Sequence, residues 1–206
     1  MPPHQRPPLD ALAFDLGNVL IRVDHLRFCR RLGALAGLAP EMVYTEIFVA
    51  GREPDYDAGR LSTGEFHYWL VQRFGVALPF SLFREWWVDL FDPMEGMEDL
   101  LARLRGRFPL YLISNTNALH FTDIYRRFPL LRHFRRFILS YQVGSRKPEP
   151  AIYQALIRET GVAPERCLFI DDRADFVAAA QEHGLTAWQF TTPGDLCARL
   201  SEAGVL

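Results

Sequence analysis

LAFDLGNVL, residues 12–20, is the stretch that decides the fold. It opens on an unbroken apolar run, Leu12 to Phe14, stops at Asp15, and continues with the turn formers Gly17 and Asn18. A run so short does not make a core helix. Its continuous hydrophobicity suits a strand covered on both faces, as in a parallel sheet. Four more runs read the same way: Leu110 to Ile113, Phe137 to Leu139, Leu168 to Ile170 and Thr186 to Phe190. Helix-length segments separate the later runs, at Glu95–Arg105, Ala118–Phe128, Glu149–Thr160, Arg173–His183 and Gly194–Ala203. Strands alternating with crossover helices predict an α/β, Rossmann-like doubly wound parallel sheet.

One interval breaks the alternation. Between Val23 and Asp92 no strand is evident, and four amphipathic stretches follow one another: Leu26–Leu35, Pro40–Val49, Ser62–Phe74 and Phe80–Leu90. Thr63-Gly-Glu-Phe reads as a helix start and Gly75 as a helix end. Gly51 to Arg60 is polar and rich in turn formers, so it reads as a loop. The interval is therefore a helical cap inserted after the first strand. The expected organisation is a Pro-rich arm over residues 1–10, a core over 11–22 and 93–206, and the cap over 23–92.

Composition excludes several function classes. The 206 residues are 49% hydrophobic and 23% charged, enough apolar surface to order the chain. A formal charge of −2 argues against bulk attraction to nucleic acid. No run reaches the roughly 18 apolar residues of a membrane span, and the N-terminus has no apolar segment of a signal peptide. Cys29, Cys167 and Cys197 are far apart and lack CxxC spacing, so neither a disulfide framework nor a zinc site follows. Reduced packing cysteines fit a cytoplasmic protein, monomeric or homodimeric.

The chemistry gathers where the strands stop. The first run ends at Asp15, the second at Ser114-Asn115, and the fourth at Asp171-Asp172, while Arg146-Lys147-Pro148-Glu149 follows the third. Carboxyl ends of neighbouring parallel strands share one crevice, where ligands bind. Carboxylates without histidine or cysteine suit a hard cation such as Mg²⁺. A lysine with a short hydroxyl and amide pair beside that cation makes a phosphate cradle, leaving Asp15 free to attack phosphorus.

These four segments resemble, in order and spacing, the four motifs of the haloacid dehalogenase (HAD) superfamily. FDLGNVL, LISNTN and RKPEPAIY look closest to its branch containing α-D-glucose-1-phosphate phosphatase. The likeness covers Phe14 to about Phe190. It implies a Rossmann-like core with a helical cap, Mg²⁺ as cofactor, and phosphoryl transfer from a small phosphorylated metabolite, a sugar phosphate being one candidate, through an aspartyl-phosphate. Carried over by position, Asp15 is the nucleophile and a metal ligand, and Lys147 offsets its repulsion of the phosphate. Ser114 and Asn115 hold phosphoryl oxygens, with Gly17 and Asn18 completing the cradle. Asp172 and the Gly17 carbonyl bind the metal, and Asp171 supports them.

Two positions depart from the pattern. Most phosphatases of the superfamily carry a second Asp two residues after the nucleophile to protonate the leaving group, and this chain has Gly17. Either the leaving oxygen is already acidic, as in a sugar 1-phosphate, or water or a cap residue supplies the proton. Phe176 stands where many members carry Asp or Asn to orient metal waters, with Asp175 as the candidate substitute. Gly17 also fits two competing functions, a cofactor-free 2-haloacid dehalogenase and a silent phosphate-binding domain. Against the first, dehalogenases carry an aromatic-Gly-Thr pattern after the nucleophile. His67, Tyr56, Trp86, Trp87 and His120 are candidates for substrate contact, with packing the expected role of the cap aromatics. The cluster Arg126, Arg127, Arg132, Arg135 and Arg136 reads as a solvated face.

Overall fold

The computed structural model describes residues 9–206, so the arm expected over 1–10 lies almost wholly outside the described residues. All five apolar runs are strands of one parallel sheet: β1 (Ala11–Phe14), β4 (Leu110–Ser114), β5 (Arg136–Leu139), β6 (Cys167–Asp171) and β7 (Thr186–Gln189). Their order is β5-β4-β1-β6-β7, with Leu12 opposite Leu110 on one side and Leu168 on the other. The chain winds outward to β5 and then crosses back over β1, so the two halves diverge at the centre of the sheet. That divergence opens a crevice at the carboxyl end of β1.

Alternation along each strand fills both faces. Leu12, Phe14, Leu112 and Ile170 face a core closed by α6 (Met97–Leu104) and α11 (Pro193–Glu202) through Leu101, Leu104, Leu196 and Leu200. Ala13, Tyr111, Ile113 and Phe169 face α9 (Pro150–Thr160) and α10 (Ala174–Glu182), which contribute Ile152, Tyr153, Leu156 and Ala180. This is why the strands read as unbroken apolar runs.

Between the first two strands of that sheet lie α1 (His25–Ala36), α2 (Pro40–Tyr44) running into a π-helical turn (Thr45–Val49), α3 (Glu53–Asp57), α4 (Thr63–Phe74) and α5 (Phe80–Val88). Ser62 and Glu65 form a reciprocal capping box at the start of α4. Trp87 is the centre of the cap's core, edge-on to Phe28 at 4.9 Å and packed against Phe66 at 5.0 Å. Two features correct the sequence reading. A two-stranded antiparallel ribbon, β2 (Ile21–Val23) with β3 (Phe91–Pro93), carries the chain into and out of the helices. The segment expected to be a loop over Gly51–Arg60 contains α3, whose Pro54 sits in its first turn, where a missing N–H costs nothing.

The cap meets the sheet at close range. Gly59, at φ 71°, packs its backbone against the carbonyl oxygen of Tyr141 in α8 (Ser140–Val143), and an added Cβ would collide with that oxygen. Gly75 has a similar φ of 62° but open space around it. Replacing Gly59 by Ala should therefore cost about 2–4 kcal/mol, left-handed strain plus overpacking, against about 1 kcal/mol for Gly75→Ala. Urea denaturation of the two variants checks this, and equal losses would contradict it.

Candidate active site

Asp15 follows directly on β1, and Ser114 and Asp171 are the last residues of β4 and β6, so three central strands deliver one polar side chain each to the crevice. With the loop ahead of α9, Asp15 and Ser114 line a cavity of about 350 Å³, and Asp171 lies fully buried behind its wall. Lys147 enters it from that loop. Its Nζ lies 2.7 Å from Asp15 Oδ1 and 2.6 Å from Asp171 Oδ2, with the Lys147 side chain 1% exposed.

Burial and charge oppose each other here. Burial pushes the Asp15 carboxyl up to about 7, against the pull of Lys147. Burial acts to lower the Lys147 ammonium, yet the adjacent Asp15 and Asp171 outweigh it and hold Lys147 above the usual lysine value. Asp172 is also raised, by burial first and by the neighbouring Asp171 second.

The carboxylates of Asp15, Asp171 and Asp172 place oxygens within 4.8 Å of one another. A compact set of oxygen donors with no nitrogen or sulfur ligand fits a hard divalent cation. The three are not equivalent. Asp171 Oδ2 accepts from Lys147, and its Oδ1 accepts the Arg173 N–H at 2.9 Å, so both oxygens are engaged. Asp172 is half-buried and borders the cavity.

Other expected residues are placed as follows. Ser114 and Gly17 border the cavity, and a Cβ on Gly17 would lie 3.2 Å from Val23 of β2. Asn18 adopts a left-handed φ of 56°, accepts the Val23 N–H at 3.2 Å and favours the charged form of Asp172. Asn115 departs from expectation. Its Nδ2 donates to the Lys147 carbonyl at 2.9 Å and its Oδ1 accepts the Lys147 N–H at 2.7 Å. The side chain is thus spent on fixing the lysine loop and leaves only its main chain to a ligand. Asp175 does not replace the acid lost at Phe176, because it is bound to Arg173 at 2.6 and 3.0 Å. The Phe176 ring lies between two cations, with Arg173 Cζ 4.1 Å and Lys147 Nζ 5.1 Å from its centroid.

The cap contributes two carboxyls that the sequence reading passed over. Glu53 and Asp57, one turn apart on α3, both line the cavity. Asp57 accepts from Asn117 Nδ2 at 2.9 Å, while Asn117 also caps α7 (Ala118–Arg127) by accepting the His120 N–H at 3.0 Å. His120 Nδ1 faces Asn117 Nδ2 at 3.1 Å, and Nε2 lies 2.8 Å from the Trp87 carbonyl. The neutral ring with its proton on Nε2 satisfies both contacts. Ser140 completes the seam by accepting the Thr116 N–H at 2.8 Å and reaching the Asp57 carbonyl. The sequence signal for this seam was Pro54 behind an acidic residue, a helix start inside an otherwise loop-like stretch.

The cap aromatics expected as candidates, Tyr56, His67, Trp86 and Trp87, lie outside the cavity wall, whereas Tyr44 and Phe48 line it. Tyr56 stacks on Phe66 at 4.6 Å, and His67 lies 2.7 Å from the Leu78 carbonyl. Arg127 donates to the carbonyls of Val88 and Phe91, both at 3.1 Å, whereas Arg126, Arg132, Arg135 and Arg136 are exposed.

Comparison with known proteins agrees with this geometry. The family described as haloacid dehalogenase-like hydrolase matches over residues 9–184. The chain belongs to that family. It is 26% identical to a D-ribitol-5-phosphate phosphatase of Bacteroides thetaiotaomicron, over 86% of this chain and 90% of that protein. The structure of a HAD family enzyme from the same organism, solved with magnesium and inorganic phosphate, superposes with a TM-score of 0.80 at 26% identity, covering 89% of this chain and 95% of the other. A HAD-like hydrolase from Porphyromonas gingivalis gives a TM-score of 0.80 at 28% identity, over 93% and 97% of the two chains. Homologues named as phosphatases make this chain a hydrolase of the phosphatase type.

His120 yields a pH prediction for this HAD-family chain. Burial lowers its imidazole to about 3, against 6.5 in an exposed chain. The depressed folded value means that His120 contributes stability above pH 6.5, progressively lost as acid drives protonation of the unfolded state. Between pH 7 and pH 5 the wild type should lose about 2 kcal/mol more than His120→Gln. Denaturant titrations at both pH values measure the difference, and parallel losses would contradict it.

Proposed function

We propose that this chain is a Mg²⁺-dependent phosphatase that hydrolyses a small phosphomonoester, of the sugar or polyol phosphate class, through a phosphorylated Asp15. The observation that carries this reading is the position of Lys147, buried between Asp15 and Asp171 at the head of a cavity that also holds Asp172. A nucleophilic carboxylate and a phosphoester repel each other, and a buried ammonium beside the carboxylate offsets that repulsion. The all-oxygen donor cluster suits magnesium, with Asp15, Asp172 and the Gly17 carbonyl as ligands and Asp171 holding Lys147 in place. When bound, the cation supplies electrostatic shielding of phosphoryl oxygens.

The chain's own residues then divide the work. Asp15 forms the bond to phosphorus as the ester P–O bond breaks. Ser114 donates a hydrogen bond from its hydroxyl to one phosphoryl oxygen, and the Asn115 main chain lies beside a second. Asn18 steadies Asp172, and Asn115 steadies the lysine loop. The substrate class rests on two likenesses: the glucose-1-phosphate phosphatase branch that the motifs resemble, and the ribitol-phosphate phosphatase among the relatives. A cavity of about 350 Å³ fits compounds of that size.

Hydrolysis of p-nitrophenyl phosphate should require Mg²⁺, vanish in EDTA and return when Mg²⁺ is restored. Asp15→Asn should lower the rate about 10³-fold or more, as removal of a covalent nucleophile does. Beryllofluoride with Mg²⁺ should occupy Asp15 in a crystal. Metal-independent chloride release from 2-chloropropionate would instead make the protein a dehalogenase.

A further inference from the structure

Gly17 leaves the turn behind Asp15 without an acidic side chain, yet a departing alkoxide needs a proton. Two histidines border the cavity and neither holds one at neutral pH: burial lowers His25 to about 4 and His120 to about 3. Asp15, Lys147, Asp172 and Arg173, also on the wall, belong to the nucleophile's side of the site or are permanent cations. The remaining acids are Glu53 and Asp57 of the cap.

We propose that Glu53, presented by the cap helix α3, donates the proton taken up by the leaving oxygen, with Asp57 keeping that proton in place until transfer and Arg146 steadying the carboxylate that remains. The assignment rests on the phosphatase reading above. One helical turn separates Glu53 from Asp57, so their carboxyls share a face. Two buried carboxylates in contact cannot both ionise, and one proton is shared. The surroundings decide which group carries it. Asp57 is 4% exposed and accepts from Asn117 Nδ2 at 2.9 Å, which stabilises its charge. Glu53 hydrogen-bonds Asp57, and its side chain remains 13% exposed toward the cavity. Burial first, and the Asp57 charge second, push Glu53 well above the usual carboxylic range. Arg146 approaches Glu53 Oε2 with Nη2 at 3.5 Å, and its Nε is buried with no hydrogen-bond partner among the described residues.

The step balances without another reactant. As Asp15 bonds to phosphorus, the ester P–O bond breaks, and the Glu53 carboxyl proton passes to the departing oxygen, releasing the alcohol and leaving Glu53 ionised. Ionised Glu53 then takes a proton from the water that attacks phospho-Asp15. Inorganic phosphate forms, and both carboxyls return to their starting states.

The test compares wild type with Glu53→Gln, in Mg²⁺, on p-nitrophenyl phosphate and on the alkyl phosphomonoester that the wild type hydrolyses fastest. Nitrophenolate leaves without a proton, so its kcat/KM, which reports the steps up to loss of the alcohol, should change less than about fivefold, while kcat/KM for the alkyl ester should fall about 10²–10⁴-fold. The alkaline limb of kcat/KM for the alkyl ester should disappear in Glu53→Gln. In Asp57→Asn it should move to lower pH, because the charge that retains the Glu53 proton is gone. Equal losses on both substrates, an undiminished alkyl rate, or an alkaline limb that persists in Glu53→Gln would each overturn the assignment. A wild type active only on the nitrophenyl ester would overturn it as well. A wild type inert on both esters would instead defeat the phosphatase reading itself.

Discussion

A buried ammonium held between two carboxylates is the constraint on which this molecule depends. Lys147 reaches Asp15 and Asp171 within 2.7 Å while almost wholly removed from water. Alone at that depth, a lysine would shed its proton and each carboxylate would gain one. Together, the two carboxylates hold the Lys147 ammonium charged and Lys147 opposes the rise of Asp15, but only if β1, β6 and the loop ahead of α9 meet in register. The sheet therefore does more than bury apolar side chains. Its strand order is the condition under which three ionisable groups can share one buried site, and Asn115 and the Arg173 N–H take up the nearby hydrogen-bonding groups. Such a cluster is weak evidence of stability, since an apolar replacement is often no worse. Its presence at the mouth of a cavity is better explained by chemistry.

The cap is seated by a second polar seam. Apolar packing alone would let a helical insert slide over the sheet, because hydrophobic contacts have little directional preference. Asp57, Asn117, His120 and Ser140 do have one. Asn117 uses its oxygen to cap α7 and its nitrogen to meet both Asp57 and His120, so the start of a core helix and the position of a cap helix are set by one side chain. The backbone of Gly59 against Tyr141 closes the same seam by steric fit.

Much of this was legible in the sequence, for identifiable reasons. Strands covered on both faces are continuous apolar runs, and polar residues directly after them fall in the crevice by geometry alone. That logic placed Asp15, Ser114 and the Asp171-Asp172 pair at one end of the sheet. It could not distinguish Asp171 from Asp172, because adjacent strand residues point to opposite sides and one residue of register decides which meets Lys147. The ribbon of Ile21–Val23 with Phe91–Pro93 was illegible, as three-residue strands have too few positions to show a period. The hold of the Asn115 side chain on the lysine loop was not legible, because a polar side chain near a ligand site can be consumed by neighbouring backbone, which only coordinates show. Glu53 and Asp57 were hidden by composition: a five-residue helix among turn formers looks like a loop, and its pairing with Asn117 spans sixty positions of chain.

The glycine behind the nucleophile links these observations. Val23 lies close over Gly17, so the ribbon leaves little room there for the acid that many relatives carry. If the proton comes from Glu53 instead, acid catalysis has moved from the rigid sheet to the inserted helices. A donor on the core protonates any leaving group that reaches it. A donor on the cap acts only when the cap is seated and the leaving group fits beneath it. Selection of the alcohol and delivery of its proton would then be functions of one element, and the seam through Asn117 would govern both by fixing where α3 lies over Asp15. Substrate choice in this chain is thereby tied to the rate of the chemical step, since a poorly fitting alcohol loses its proton donor as well as its contacts.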